Sequence, residues 1–221
     1  FTMDPDIKTV SDLKGKDVSI GASGSGVYFN ALDVLEGAGL GINDINPQYQ
    51  SFEDSKEALK DGRIDAAFIV AGAPTSAITE LATTNGVYLV NINGEVRDRI
   101  MEECSYYEPL TIPAGTYPGQ DEDVETITVK AVLIVSVDAD EDTVYKLTAA
   151  LFDHADEITQ ENAKGSELSV ENATSVQTLP FHKGAARYYA EHGITVNTDE
   201  SSAKTEPENT FSEASDSSDN N

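Results

Sequence analysis

The sequence predicts an α/β fold: a mostly parallel sheet flanked by helices. Two observations carry this. Short β-branched or apolar runs alternate with segments of about ten residues whose apolar positions recur at helical spacing. Glycine and proline punctuate the boundaries between them.

The elements follow in order. Ile7 to Leu13 ends in a capped helical turn closed by Gly15. Asp17-Val18-Ser19-Ile20 reads as a strand, and Gly21-Ala22-Ser23-Gly24-Ser25-Gly26 leads from it into a helix over 27–37 with Val27, Ala31, Val34 and Leu35 on one stripe. Pro47 to Ser51 is extended and opens a helix through Glu53 to Lys60, stopped by Asp61-Gly62. Ile64 to Val70 reads as a buried strand. It ends in Ala71-Gly72-Ala73-Pro74-Thr75, where Pro74 suits the first turn of a helix reaching about Ala82. Val87 to Ile92 is a further strand and Glu95 to Cys104 a further helix. Ile112 to Gln120 is a long loop, and Asp121-Glu122-Asp123 after it a solvated acidic stretch. Ile127 to Val137 is the most apolar, β-branched strand of the chain. A helix over 140–153 carries Asp140, Glu141 and Asp142 in its first turn, where the dipole favours acids. His154 to Asn162 continues helically, and a last helix spans Gly184 to His192. From Thr198 the chain is Ser, Glu, Asp and Asn and reads as disordered.

Composition narrows the function. Acidic residues outnumber basic ones 40 to 14, a formal charge of −26, which argues against nucleic acid and anionic membrane surfaces as partners. The single cysteine, Cys104, excludes an internal disulfide. No apolar run is long enough to insert into a bilayer, and no signal peptide is visible, so the chain reads as a mature or truncated piece of something longer.

The stretch Gly21–Gly26 is the main candidate site. Its glycines turn the backbone sharply and leave amide N–H groups open. The helix N-terminus adds unpaired donors and a partial positive charge, and Ser23 and Ser25 add hydroxyls, a combination that suits a carboxylate or phosphate. The alternative is a tight turn with Ser25 or Ser23 as N-cap.

Other chemistries fail on spacing. The loop spells G-x-x-G-x-G, not the dinucleotide fingerprint, and lacks the lysine of a phosphate-binding P-loop. Ser25 stands where a nucleophile elbow needs its last glycine. His154, His182 and His192 have no partner at metal spacing. Asp138, Asp140 and Asp142 imitate a calcium loop, but Thr143 and Ala149 occupy the positions of its glycine and glutamate. The sequence therefore presents no catalytic constellation, no metal site and no cofactor motif.

Several segments resemble the TAXI family of TRAP-transporter solute receptors. They are Ser11-Asp12-Leu13-Lys14-Gly15-Lys16 with Val18-Ser19-Ile20-Gly21, Ser23–Gly26, Ala58–Phe68, Ala71–Ile78, Ile112–Tyr117 and His182–Tyr189, in family order. The resemblance implies a periplasmic-binding-protein-like fold of two lobes with ligand in the cleft. It also implies an extracytoplasmic location, periplasmic or as a cell-surface lipoprotein. The ligand would be a small organic anion such as glutamate or a 2-oxoglutarate-like acid, and the partners the TRAP membrane permease subunits. Such receptors carry about a hundred further residues at the front. The implied layout is thus a crossover from a missing first lobe over 1–10 and a second lobe over 11–126. A return crossover and C-terminal helices follow over 127–197, and an acidic tail over 198–221.

In a cleft of this kind the useful groups lie at strand C-termini and helix starts. This selects Ser23, Gly24, Ser25 and Gly26 from the first loop, and Gly72, Ala73 and Thr75 from the second. Tyr28 closes over the ligand or packs in the core. Tyr117 contacts ligand or pins its own loop. Two other classes compete with the receptor: an α/β hydrolase-like or phosphate-handling enzyme using Ser23 or Ser25, and a receptor-like domain that has lost ligand binding. The enzyme needs a base near those serines, and every histidine lies far along the chain.

The tail from Thr198 has too few apolar groups to offset an ordering cost of about 1–2 kcal/mol per residue. Truncation there is expected to leave the thermal midpoint nearly unchanged in calorimetry; a large drop would show that the tail docks.

Overall fold

The computed structural model describes residues 1–176 and 179–199. The tail expected to be disordered therefore lies outside the described residues from residue 200 onward. The chain divides into two compact units, Phe1–Ala131 and Val132 onward.

The first unit is α/β. Strand β1 (Asp17–Ser19) leads to helix α1 (Gly26–Gly37), β2 (Asn46–Gln48) to α2 (Phe52–Lys60), and β3 (Ala66–Ala67) to α3 (Ser76–Asn85). The three strands form one parallel sheet in the order β2-β1-β3. Pairing continues one step past the strands, with Ile20 N–H donating to Gln48 O at 3.0 Å and Phe68 N–H to Ser19 O at 2.8 Å.

Successive residues of a strand face opposite sides of a sheet. On one side, Val18, Ile20 and Ala66 pack with Ala31, Val34 and Leu35 of α1 and with Ile100 of α4 (Gly94–Glu103). On the other, Ala67 packs with Ala58 and Leu59 of α2 and Ile78 and Leu81 of α3. Ser19 also falls on that side, where its hydroxyl meets Ser55 Oγ of α2 at 2.7 Å, so this buried polar pair satisfies itself. Lys56 of α2, nearly buried, ion-pairs with Glu53 at 2.6 Å and reaches Glu80 of α3 at 3.5 Å.

Three elements depart from the sequence expectation. Val87–Ile92 forms isolated bridges, Tyr88 with Thr2 and Asn91 with Thr9, in place of a strand. An antiparallel hairpin of β4 (Glu108–Ile112) and β5 (Val124–Thr128) follows α4, and β4 has no counterpart in the sequence reading. The apolar run 127–137 is strand only as far as Thr128. That residue pairs with Glu108, the first of β4, so beyond it the hairpin offers no partner.

The second unit is helical: α5 (Glu141–Asp153), α6 (Ala155–Glu161), α7 (Val170–Ala173) and α8 (Lys183–Glu191). Asp140 caps α5, its carboxylate accepting from Thr143 N–H at 2.8 Å. Helices α5 and α8 meet through Phe152 stacked on Tyr188 at 5.4 Å, Arg187 over the Tyr145 ring at 4.1 Å, and Arg187 paired with Asp142 at 2.9 Å. Gly184 permits this approach: a Cβ there would collide with Glu141 O and lie 2.8 Å from Tyr145 N.

Two outcomes follow from this packing. Gly184→Ala is expected to cost about 1–3 kcal/mol by chemical denaturation, because the colliding atoms are backbone. Glu36 is held above its ordinary carboxyl range by desolvation, then by Glu103 and Asp33. The folded state therefore binds its proton more readily than the unfolded chain, and stability falls as pH rises through that window. Glu36→Gln is expected to raise the thermal midpoint at pH 7, with the gain vanishing once the pH drops below the unfolded value of 4.5.

Candidate functional site

The parallel order β2-β1-β3 places three strand ends on one edge of the sheet. Each leads into a helix start, with Ser25, Ser51 and Thr75 in turn at the N-cap position. The loop after β1 contains a turn in which Ser25 N–H donates to Ala22 O at 3.0 Å. Gly21 has φ +86°, and a Cβ there would lie 2.8 Å from Val27 Cβ, so that position demands glycine twice over. Gly24 also sits at positive φ, +72°, but in open space.

The three caps differ in what their hydroxyls have left to give. Ser51 Oγ accepts from Asp54 N–H at 3.2 Å and donates to the Asp54 carboxylate at 2.6 Å, so both roles are taken. Ser25 Oγ accepts from Tyr28 N–H at 3.2 Å, which leaves its own hydrogen to donate elsewhere. The Thr75 side chain makes no capping bond at all. Ser23, Gly24 and Gly26 are exposed around the first cap, and Gly72 is exposed in the loop before Thr75.

Other expected residues are engaged in packing. Ala73 packs against the second core. Pro74 precedes the Thr75 cap and so stands outside α3, two residues before its first helical position, Ser76. Tyr117 is buried in the same core, and its hydroxyl accepts from Thr75 N–H at 3.1 Å. It pins the loop between β4 and β5 to the start of α3, and burial pushes its phenol above the ordinary range. Tyr28 packs on the first core, one of its two expected roles, and its ring lies 6.1 Å from that of Tyr49.

Sequence reasoning missed Tyr49 and Gln50. Tyr49 is exposed just past β2, and through Tyr28 it joins the loops after β1 and β2 into one aromatic wall. Gln50 Oε1 is buried and has no hydrogen-bond partner among the described residues. Placing β2 beside β1 would have pointed to both. The loops over 21–28, 49–52 and 69–76 contain no charged side chain. An anion here would meet helix N-termini and hydroxyls, with an aromatic surface beside them.

Among the described residues the histidines are engaged locally and make no hydrogen bond to the serines of the first loop. His182 accepts from Gly184 N–H at 3.1 Å and lies 3.1 Å from Ala139 O, His154 pairs with Glu157 at 3.0 Å, and His192 meets Tyr188 O at 2.9 Å. All three belong to the second unit. Among the described residues no cluster of His, Cys, Asp and Glu could hold a metal ion, and no helix is long and apolar enough to cross a membrane.

The model of the NMT1-like family matches residues 1–193. The chain belongs to that family. The match is not specifically to the TAXI receptors that the short motifs resemble. Over 60 residues this NMT1-like chain is 42% identical to the "Putative aliphatic sulfonates-binding protein" of Escherichia coli (strain K12), a match covering 27% of this chain and 18% of that protein. It also aligns with two solved structures. One is the periplasmic aliphatic sulphonate binding protein SsuA from Escherichia coli, at TM-score 0.45 and 19% identity, over 89% of this chain and 54% of that one. The other is the alkanesulfonate-binding protein SsuA from Xanthomonas axonopodis pv. citri bound to MOPS, at TM-score 0.43 and 21% identity, over 86% and 53%. This NMT1-like chain thus spans about half the length of those solved chains.

Tyr117→Phe removes the acceptor from Thr75 N–H. Exchange of that amide, followed by hydrogen–deuterium exchange, is expected to quicken about two- to tenfold, the value of one neutral hydrogen bond. Unchanged exchange would show that the phenol does not hold the loop.

Proposed function

We propose that this chain is part of a solute-binding receptor that captures a small organic anion outside the cytoplasm and delivers it to a membrane permease. The observation that carries this is the edge of the β2-β1-β3 sheet. There three helix starts converge, one with a hydroxyl free to donate and one uncapped by its side chain, beside the Tyr28–Tyr49 wall. The names of the relatives, all binding proteins, support the same reading and its extracytoplasmic setting.

The residues assigned to the ligand are Ser23, Gly24, Ser25 and Gly26 from the first loop and Gly72 and Thr75 from the third, with Tyr28 and Tyr49 against its apolar part. Ala73 and Tyr117 support the loop. The absence of charge in these loops favours a single anionic headgroup on an apolar body. A dicarboxylate such as 2-oxoglutarate, which the TAXI resemblance implies, would bring a second charge with no cation among the described loops to meet it. An aliphatic sulfonate, the class named for the relatives, or a monocarboxylate has one. A TRAP-type permease remains the partner that the TAXI resemblance supplies; the relatives' names support the binding step alone.

Calorimetry with butanesulfonate, butyrate, glutamate and 2-oxoglutarate tests the reading. Butanesulfonate and butyrate, each with one charged group, are expected to bind; 2-oxoglutarate, with two carboxylates, and glutamate, with two carboxylates and an ammonium, are expected to fail. Ser25→Ala is expected to weaken binding about tenfold or more, since a hydrogen bond to a charged group contributes about 1.5–3 kcal/mol. Gly24→Val is expected to weaken it further by straining a positive φ. Unaltered affinity in both variants would move the site away from this edge.

A further inference from the structure

Gln50 lies in the short link between the end of β2 at Gln48 and the Ser51 cap of α2. The residue is half-buried, but its side-chain oxygen, Oε1, is sealed from solvent and has no hydrogen-bond partner among the described residues. Its Nε2 makes no hydrogen bond among them either, and it is not sealed in. The carboxamide therefore does nothing for the fold. A buried acceptor left without a donor carries a desolvation penalty, so a group of this kind calls for a reason. Atoms of this chain already cover the oxygen, so a neighbouring segment could not supply the missing donor.

The place of Gln50 supplies the reason. Gln48 O accepts from Ile20 N–H at 3.0 Å, at the foot of the loop that carries Ser23 and Ser25. Tyr49, next to Gln50, has its ring 6.1 Å from that of Tyr28 in the first turn of α1. Of the three helix starts, that of α2 has the hydroxyl with least to give, because Ser51 Oγ both accepts from Asp54 N–H and donates to the Asp54 carboxylate. Gln50 restores an uncharged donor to that strand end. With Oε1 turned inward, the carboxamide presents its N–H end, which attracts an anion; the reverse orientation would present lone pairs, which repel one.

We infer that Gln50 Nε2 donates a hydrogen bond to the bound anion, and that the chain gives up stability at this position to keep that donor unengaged. The inference rests on the receptor reading above, and it gives the loop after β2 a direct part in holding the charged end of the ligand. A group held unpaired for a ligand leaves a signature that a structural group does not: removing it stabilises the free protein and weakens the complex.

Gln50→Met tests this, since it keeps an unbranched side chain of similar length and removes both polar ends. The thermal midpoint of the ligand-free variant is expected to rise by about 2–4 °C. Its affinity for butanesulfonate in titration calorimetry is expected to fall about tenfold or more. The side-chain amide resonance of Gln50, identified by its loss in Gln50→Met, is expected to move when butanesulfonate is added to the isotope-labelled chain. Failure of butanesulfonate to bind the unmodified chain would overturn the receptor reading and this inference with it. Where butanesulfonate does bind, an unchanged affinity in Gln50→Met, an amide resonance that stays in place, or a midpoint that does not rise would each overturn this inference alone.

Discussion

The first unit depends on β1 being paired on both sides. Its three residues are bonded in parallel to β2 and β3. Asp65 locks this arrangement at the N-terminal end of the strands: its carboxylate accepts from Asp17 N–H at 2.8 Å, its own N–H donates to Asp17 O at 2.8 Å, and its carbonyl accepts from Thr2 Oγ1 at 2.6 Å. Strands this short contribute few hydrogen bonds, so the layers of α1 with α4 and α2 with α3 supply most of the burial. Parallel direction, once set, forces every crossover to return to the same side, and all three helices begin on one edge.

That edge shows a division of labour among groups that look alike. Ser51 spends its hydroxyl on closing its own helix, while Ser25 closes α1 with an acceptor lone pair and keeps its hydrogen. At α3 a phenol from another part of the chain takes the Thr75 amide, leaving the Thr75 hydroxyl uncommitted to the cap. A helix end that is fully capped has little left for an anion. Recognition of charge in a chain this acidic would fall to dipoles and hydroxyls in place of arginine.

The same excess of acid shows in how the basic side chains pair. Lys and Arg side chains are mostly paired close to home, as Arg63 is with Asp61 at 3.1 Å and Arg97 with Glu125 at 3.3 Å. Such exposed pairs contribute little individually. They do offset local repulsion.

Much of the fold was legible because its signals are local. The helices over 26–37, 52–60, 94–103, 141–153 and 183–191 lie within a few residues of the spans that their periodicity and caps announce. The Ser25 cap, the positive φ at Gly21 and Gly24 and the acidic cap of α5 are likewise consequences of a residue and its immediate neighbours. The alternation of strand and helix determined the α/β class, and with it the idea of a site at strand ends.

What the sequence could not determine is what depends on a partner distant in the chain. A strand exists only where another chain segment lies beside it, so the apolar run 127–137 stopped at Thr128 and Val87–Ile92 shrank to single bridges, although both have strand composition. The strand order alone brought Tyr49 beside Tyr28, and it took the folded core to show what Tyr117 holds: its hydroxyl accepts from the distant Thr75 N–H, in keeping with the loop-pinning role read from the sequence. Composition and spacing determined which segments would be helix or turn, because those choices rest on backbone geometry within a few residues. Tertiary structure decided which of their side chains remain available, because hydrogen-bond partners and burial are set by segments far apart in the chain.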